Sequence, residues 1–159
     1  MPKPVINTPA VELLFELIDG PADPKQTWVV STEPNSGLLG TLAKFTAEQA
    51  SRPPAVGRRS AAAHAAHVLF SLELATQRLR GENPDADWDG SWEPSVVNRE
   101  DWDRLRYQIR DASATLRRAI EAGTDWEPMA FKGIIATVGH TAYHLGAIRH
   151  LVPSPHAAP

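Results

Sequence analysis

Val138-Gly-His-Thr-Ala-Tyr-His-Leu-Gly-Ala-Ile-Arg-His-Leu151 is the stretch whose reading decides the fold. No proline occurs between Phe131 and Val152, and Pro153 follows, so one α ladder can run through the stretch and stop there. In that helix His140 and His144 stand one turn apart on one face, their Cβ atoms roughly 5 to 6 Å from each other. Two imidazoles so placed can share a divalent ion. A third from another helix would complete a three-histidine site with positions open to water or substrate. His67, near the middle of an earlier helix, is the expected third ligand. Gly133, Ala136, His140, His144 and Ala147 form one narrow band, and Gly139 and Gly146 thin the adjoining face, which leaves room for an ion and a substrate. Spacing and band alone are also compatible with partly buried core histidines satisfied by hydrogen bonds, or with a pH-sensitive pair.

Outward from this stretch the chain reads as further helices. Asn98 caps a helix that carries Glu100, Asp101 and Asp103 at its positive end and runs to Ala122 before Gly123. Trp102, Leu105, Ile109, Leu116 and Ile120 mark its buried side, and the arginines opposite are solvated charge. From Arg58 or Ser60 to Arg80 there is neither Gly nor Pro, and Gly81 stands where a C-cap belongs, so the spacing predicts a long helix of about six turns. Val68, Leu72, Ala75 and Leu79 form its stripe, His64 lies close to that stripe, and His67 sits on the flank that a neighbouring helix could meet.

Ser36 to Ala50 puts Leu38, Leu39, Leu42 and Phe45 on one side, which predicts a core helix of about four turns ended by Pro53 and Pro54. Pro9 to Gly20 predicts a short helix, and Pro21 to Pro34 a loop. Gly81 to Val97, acidic and turn-rich with Trp88 and Trp92, is a long loop whose indoles point to packing over a pocket. The expected fold is all-α: an antiparallel four-helix bundle, with one long crossover as a variant, plus one short extra N-terminal helix. It fills a single domain over 1–159, with loose termini at 1–8 and 153–159 and a solvated His156.

Composition narrows the partners. A net charge of -3 and a pI near 6.0 give no electrostatic case for nucleic acid or an anionic membrane. Zero Cys removes disulfides, a thiolate nucleophile and any Cys-ligated metal together, so sulfur chemistry here needs a small-molecule thiol. The start Met-Pro-Lys-Pro-Val-Ile lacks a signal-peptide pattern, no apolar run approaches the roughly 18 residues of a membrane span, and a cytoplasmic location is expected.

Ser60-Ala-Ala-Ala-His-Ala-Ala-His-Val-Leu-Phe-Ser-Leu-Glu73 together with Gly139-His-Thr-Ala-Tyr-His-Leu-Gly-Ala-Ile148 resembles the DinB/YfiT-like superfamily of metal-dependent enzymes. The likeness extends roughly from Val11 to Val152 and includes Leu38 to Ala43 and Arg80 to Trp88. It implies an up-down-down-up four-helix bundle whose three histidines bind Zn²⁺, Ni²⁺ or a similar ion. Carried over residue by residue, these ligands are His67, His140 and His144, with His64 as the fallback one turn earlier. Many members have Gln where Ala147 stands, a polar contact this chain lacks. The resemblance further implies thiol-dependent transferases and isomerases that use low-molecular-weight thiols, and a homodimer; the expected activity is a metal-dependent hydrolase or thiol S-transferase on a small-molecule substrate. Three neutral imidazoles leave the ion its full charge, which suits activating hydroxide or a substrate thiolate. Tyr143, Trp88 and Trp92 are candidate helpers, whereas His150 falls off the shared face. The rival reading is a non-catalytic, stress-associated dimer with a structural or vestigial histidine cluster.

Overall fold

A computed structural model of the chain describes residues 7–123 and 126–154. Of the loose termini expected from sequence, residues 1–6 and 155–159, His156 among them, lie outside the described residues, as do residues 124–125. The described residues are helical without a strand: α1 (Asn7–Asp19), α2 (Leu38–Leu42), α3 (Ala47–Ser51), α4 (Ala61–Leu79), α5 (Arg99–Ala122) and α6 (Pro128–Arg149). None of these helices is long and apolar enough to cross a membrane.

The helix ends follow their residues. The Ser60 hydroxyl accepts from Ala63 N–H to open α4, and Asn98 does the same for Asp101 N–H at α5. Gly81, at φ +82, closes α4: its N–H donates to Arg78 O, and Glu82 N–H reaches back to Gln77 O. That pair of bonds is the Schellman arrangement, which needs a residue tolerant of the left-handed region. Gly123 stops α5 for another reason. Its backbone is extended, and a Cβ there would stand 2.0 Å from Trp126 Cζ2, so it is close approach that requires glycine.

The expected four-turn helix over Ser36 to Ala50 is not one helix. It breaks at Ala43–Thr46 into α2 and α3. Lys44 and Phe45 N–H turn back to Thr41 O and Leu42 O, tightening the end of α2. Thr46 and Gln49 then form a reciprocal capping box that starts α3 afresh. The indole N–H of Trp102 donates to Phe45 O at 3.2 Å and ties the break to α5. The four helices of seven residues or more are therefore α1, α4, α5 and α6, and the short N-terminal helix takes a corner of the bundle.

Side-chain contacts give the direction of each corner. His64 meets His144 and Ser71 meets His140, so α4 and α6 are antiparallel. Arg117 covers Phe15 at 3.9 Å, and Asp19 lies under the charge of Arg110, so α1 and α5 are antiparallel. Ser60 Oγ donates to Ser95 O at 2.8 Å, which brings the start of α5 beside the start of α4 and makes those two parallel. The order is up, down, down, up, the topology the resemblance implied rather than antiparallel neighbours throughout. α4 and α1 occupy diagonal corners, each packed on both α5 and α6. Parallel α4 and α5 oblige the chain to travel back the length of α4, roughly 28 Å at 1.5 Å per residue, and the segment 80–98 does this.

Leu17, Ile18, Leu72, Ile109, Leu116, Ile120, Leu145 and Ile148 are fully enclosed between the four helices. Each contributes about 1.5 to 3 kcal/mol relative to an exposed side chain. The loop over Pro21 to Pro34 carries no strand, as expected. Its anchor is the buried Glu16 carboxylate, which accepts the N–H groups of Trp28, Val29 and Val30 at 2.8, 2.8 and 3.0 Å.

Candidate metal centre

Antiparallel packing of α4 on α6 brings His67 against His140 and His144. His140 Nε2 stands 3.2 Å from His67 Nε2 and 3.1 Å from His144 Nε2, and the ligand nitrogens of all three lie within 4.8 Å of one another. Donors at a Zn–N distance of about 2.0 to 2.1 Å in a tetrahedral shell stand roughly 3.3 Å apart, so the triad already has the spacing of a metal site. Of the expected ligands, all three are brought together. His64 is not a member. Its Nδ1 lies 2.9 Å from His144 Nδ1, on the side of that ring away from the triad. His150 is exposed at the end of α6.

The outer nitrogens decide which lone pairs face the centre. The Ser91 hydroxyl donates to Trp88 O at 2.6 Å, so toward His67 Nδ1, 2.6 Å away, it presents only a lone pair. The Ser71 hydroxyl donates to Val68 O at 2.8 Å and presents a lone pair to His140 Nδ1 at 3.2 Å. Both histidines must then carry their proton on Nδ1. Neutral rings so fixed point bare Nε2 lone pairs at each other across 3.2 Å. Such a pair repels unless a cation lies between, and the donor set fits a divalent ion.

Burial opposes the alternative of charging the rings. His67 is 6 % exposed and His144 2 %. Burial first, then the neighbouring His140, His64 and Arg59 charges, holds His67 down at about 4, and burial followed by His140, His64 and His67 holds His144 at about 3. Burial also lowers His140, and burial with the Arg59 charge lowers His64. At neutral pH the four imidazoles are neutral, the form in which a metal takes them.

The returning segment 80–98 supplies the wall. A 3-10 turn at Gly90–Trp92 lies on α4, and the Trp92 indole stacks on His67 with ring centres 3.9 Å apart and planes 10° from parallel. Trp92 also presents an edge to His64 and His144, and the Arg59 guanidinium sits over its ring at 4.7 Å. Trp88 adds a tilted contact to His67 at 5.8 Å. The indoles thus lie against His67 and His144. Tyr143 is largely exposed and stands edge-on to His144 at 5.0 Å. Reading the sequence alone missed Ser71 and Ser91 as ring holders. Ser71 carries a signal, four residues past His67 on the same face. Ser91 carries none, because its place depends on how the crossover returns.

The sequence matches the family model of the DinB superfamily over residues 35–148, a span from just before α2 to the penultimate residue of α6. No curated protein and no solved structure matches the chain. The matched span takes in His67, His140, His144 and the crossover that walls them, and the chain belongs to the DinB superfamily.

Proposed function

We propose that this protein is a metal-dependent enzyme that holds one divalent ion, zinc or nickel, on His67, His140 and His144 and acts as a hydrolase or a small-thiol-dependent S-transferase on a small-molecule substrate. The observation that carries the reading is the 3.2 Å approach of His67 Nε2 to His140 Nε2, with each Nδ1 backed by a serine hydroxyl that donates to a main-chain carbonyl. When bound, such an ion lowers the pKa of a ligated water toward about 7 and deprotonates a ligated thiol. The chain's own residues do the rest. Ser71 and Ser91 hold two rings in the ligating tautomer, and Trp92 and Trp88 pack on His67. With no Cys in the sequence, a reacting thiol comes from outside the chain. A cytoplasmic location suits that chemistry, since small thiols stay reduced there.

We also propose a homodimer through the outer face of α6. Met129, Ile135 and Tyr143 are exposed along it, and a Cβ at Gly139 or Gly146 would meet nothing within 4 Å. The only charged residues on this helix are Lys132 and Arg149, so two copies can approach without like-charge repulsion over its middle turns.

The test is elemental analysis of protein purified without chelator or affinity resin, followed by a screen of small thiols against electrophilic substrates. About one ion per chain is expected, absent from His140→Ala and His144→Ala, with turnover that follows the metal. Less than about 0.2 ion per chain, unchanged in those variants, contradicts the reading. Full metal occupancy without turnover favours the non-catalytic dimer with a structural histidine cluster.

A further inference from the structure

The three ligand rings are held from behind by unlike partners. Ser71 and Ser91 are acceptors only, because each hydroxyl proton goes to a main-chain carbonyl. Behind His144 stands another imidazole, His64, at 2.9 Å between Nδ1 atoms. That contact is the one outer hydrogen bond His144 makes among the described residues. His144 is also the most enclosed of the three, with Trp92 edge-on to one side and Tyr143 edge-on to another. A neutral imidazole can carry its proton on either nitrogen, and what lies behind the ring decides which.

A hydrogen bond between two Nδ1 atoms needs one proton and one lone pair. If the lone pair of His144 Nε2 is turned toward an ion, its proton sits on Nδ1, and His64 must receive it on Nδ1 while keeping its own proton on Nε2. We infer that His64 is a positioning residue for the metal ligand His144: its Nδ1 accepts the His144 Nδ1–H bond and keeps the Nε2 lone pair of His144 aimed at the triad centre. This rests on the metal reading. It gives His64 a role that neither its distance from the triad nor a ligand count assigns. Helical spacing explains how one helix serves two rings of its neighbour: His64 and His67 lie one turn apart on α4, as His140 and His144 do on α6.

The experiment compares zinc dissociation constants of the full-length wild type, His64→Phe and His64→Gln, with the histidine tautomers read by long-range nitrogen-proton NMR. His64→Phe keeps a flat ring beside Trp92 and removes the acceptor, and His64→Gln restores a carbonyl oxygen that can accept. Zinc affinity is expected to fall about 10- to 100-fold in His64→Phe and to recover most of that loss in His64→Gln. In the zinc-loaded wild type, His144 should carry its proton on Nδ1 and His64 on Nε2. Equal affinity in wild type and His64→Phe, or a proton on His64 Nδ1 in the zinc form, overturns the inference. Should His64→Phe not fold, the wild-type spectra decide alone. If the wild type takes up no zinc, the metal reading fails separately. The metal-free spectrum then still tests the contact: one proton held between the two Nδ1 atoms supports it, and two bare Nδ1 atoms overturn it.

Discussion

The side of the bundle built on α5 and the seam between α4 and α6 solve different problems with the same kind of element. The residues that α5 buries are nearly all apolar: Trp102, Leu105, Ile109, Ala112, Leu116 and Ile120, with Ser113 alone among them. α6 buries Thr137, Thr141 and His144 beside Ile134, Leu145 and Ile148, and α4 meets His140 and His144 with His64, His67 and Ser71. On the first side stability scales with apolar area removed from water. In the seam small side chains give up that area so that imidazoles fit, and hydrogen bonds must satisfy them. One region holds the fold and the other spends stability on a site.

The contrast can be broken most strongly with acid. In the metal-free protein, unfolded imidazoles take up protons near 6.5, whereas His67 and His144 in the fold do so only near about 4 and about 3. Between those values the unfolded chain binds more protons, so stability rises with pH across the window. It is fully present above about 6.5 and lost as pH falls toward 4, by several kcal/mol. Denaturant melts of chelated protein at pH 7 and pH 5 measure this, and equal midpoints would show that the seam carries no such cost.

Next in size is Leu116→Ala on the apolar side, where the side chain is 1 % exposed. It should lower stability by about 2 to 5 kcal/mol through the cavity it leaves, with the zinc stoichiometry of the folded fraction unchanged. Ser91→Ala makes the opposite cut. Zinc affinity should drop by about 10-fold or more by titration calorimetry, through the lost partner of His67 Nδ1, while the melting point moves little. The smallest effect is expected at the α5 surface. Arg117 and Glu121 pair at 2.7 Å with both side chains more than a third exposed, and Glu121→Ala should change stability by less than about 0.5 kcal/mol.

The same contrast governs what could be read without coordinates. α5 was legible from cap to stop because its apolar period, its Asn98 cap and its charged face agree. The three histidines that α4 and α6 bring together were legible because two shared one helix and the third stood near the middle of another, and the resemblance pointed to the same three. The break between α2 and α3 was written in Thr46-Ala-Glu-Gln49, a capping-box pattern, but Leu38, Leu42 and Phe45 stay in phase across it and read as one helix. Glu16 as the anchor of the following loop, and Ser91 as the partner of a ligand ring, had no local pattern. Their positions depend on where distant chain returns, and a parallel α4 and α5 is what makes it return past the triad.

X-ray absorption on the zinc-loaded protein tests most directly that this seam exists to grip an ion through nitrogen. The expected shell has three imidazole nitrogens at about 2.0 to 2.1 Å and one further oxygen neighbour, losing an imidazole in His140→Ala. Zinc that is not retained, or a shell of oxygens without imidazole scattering, would contradict the account.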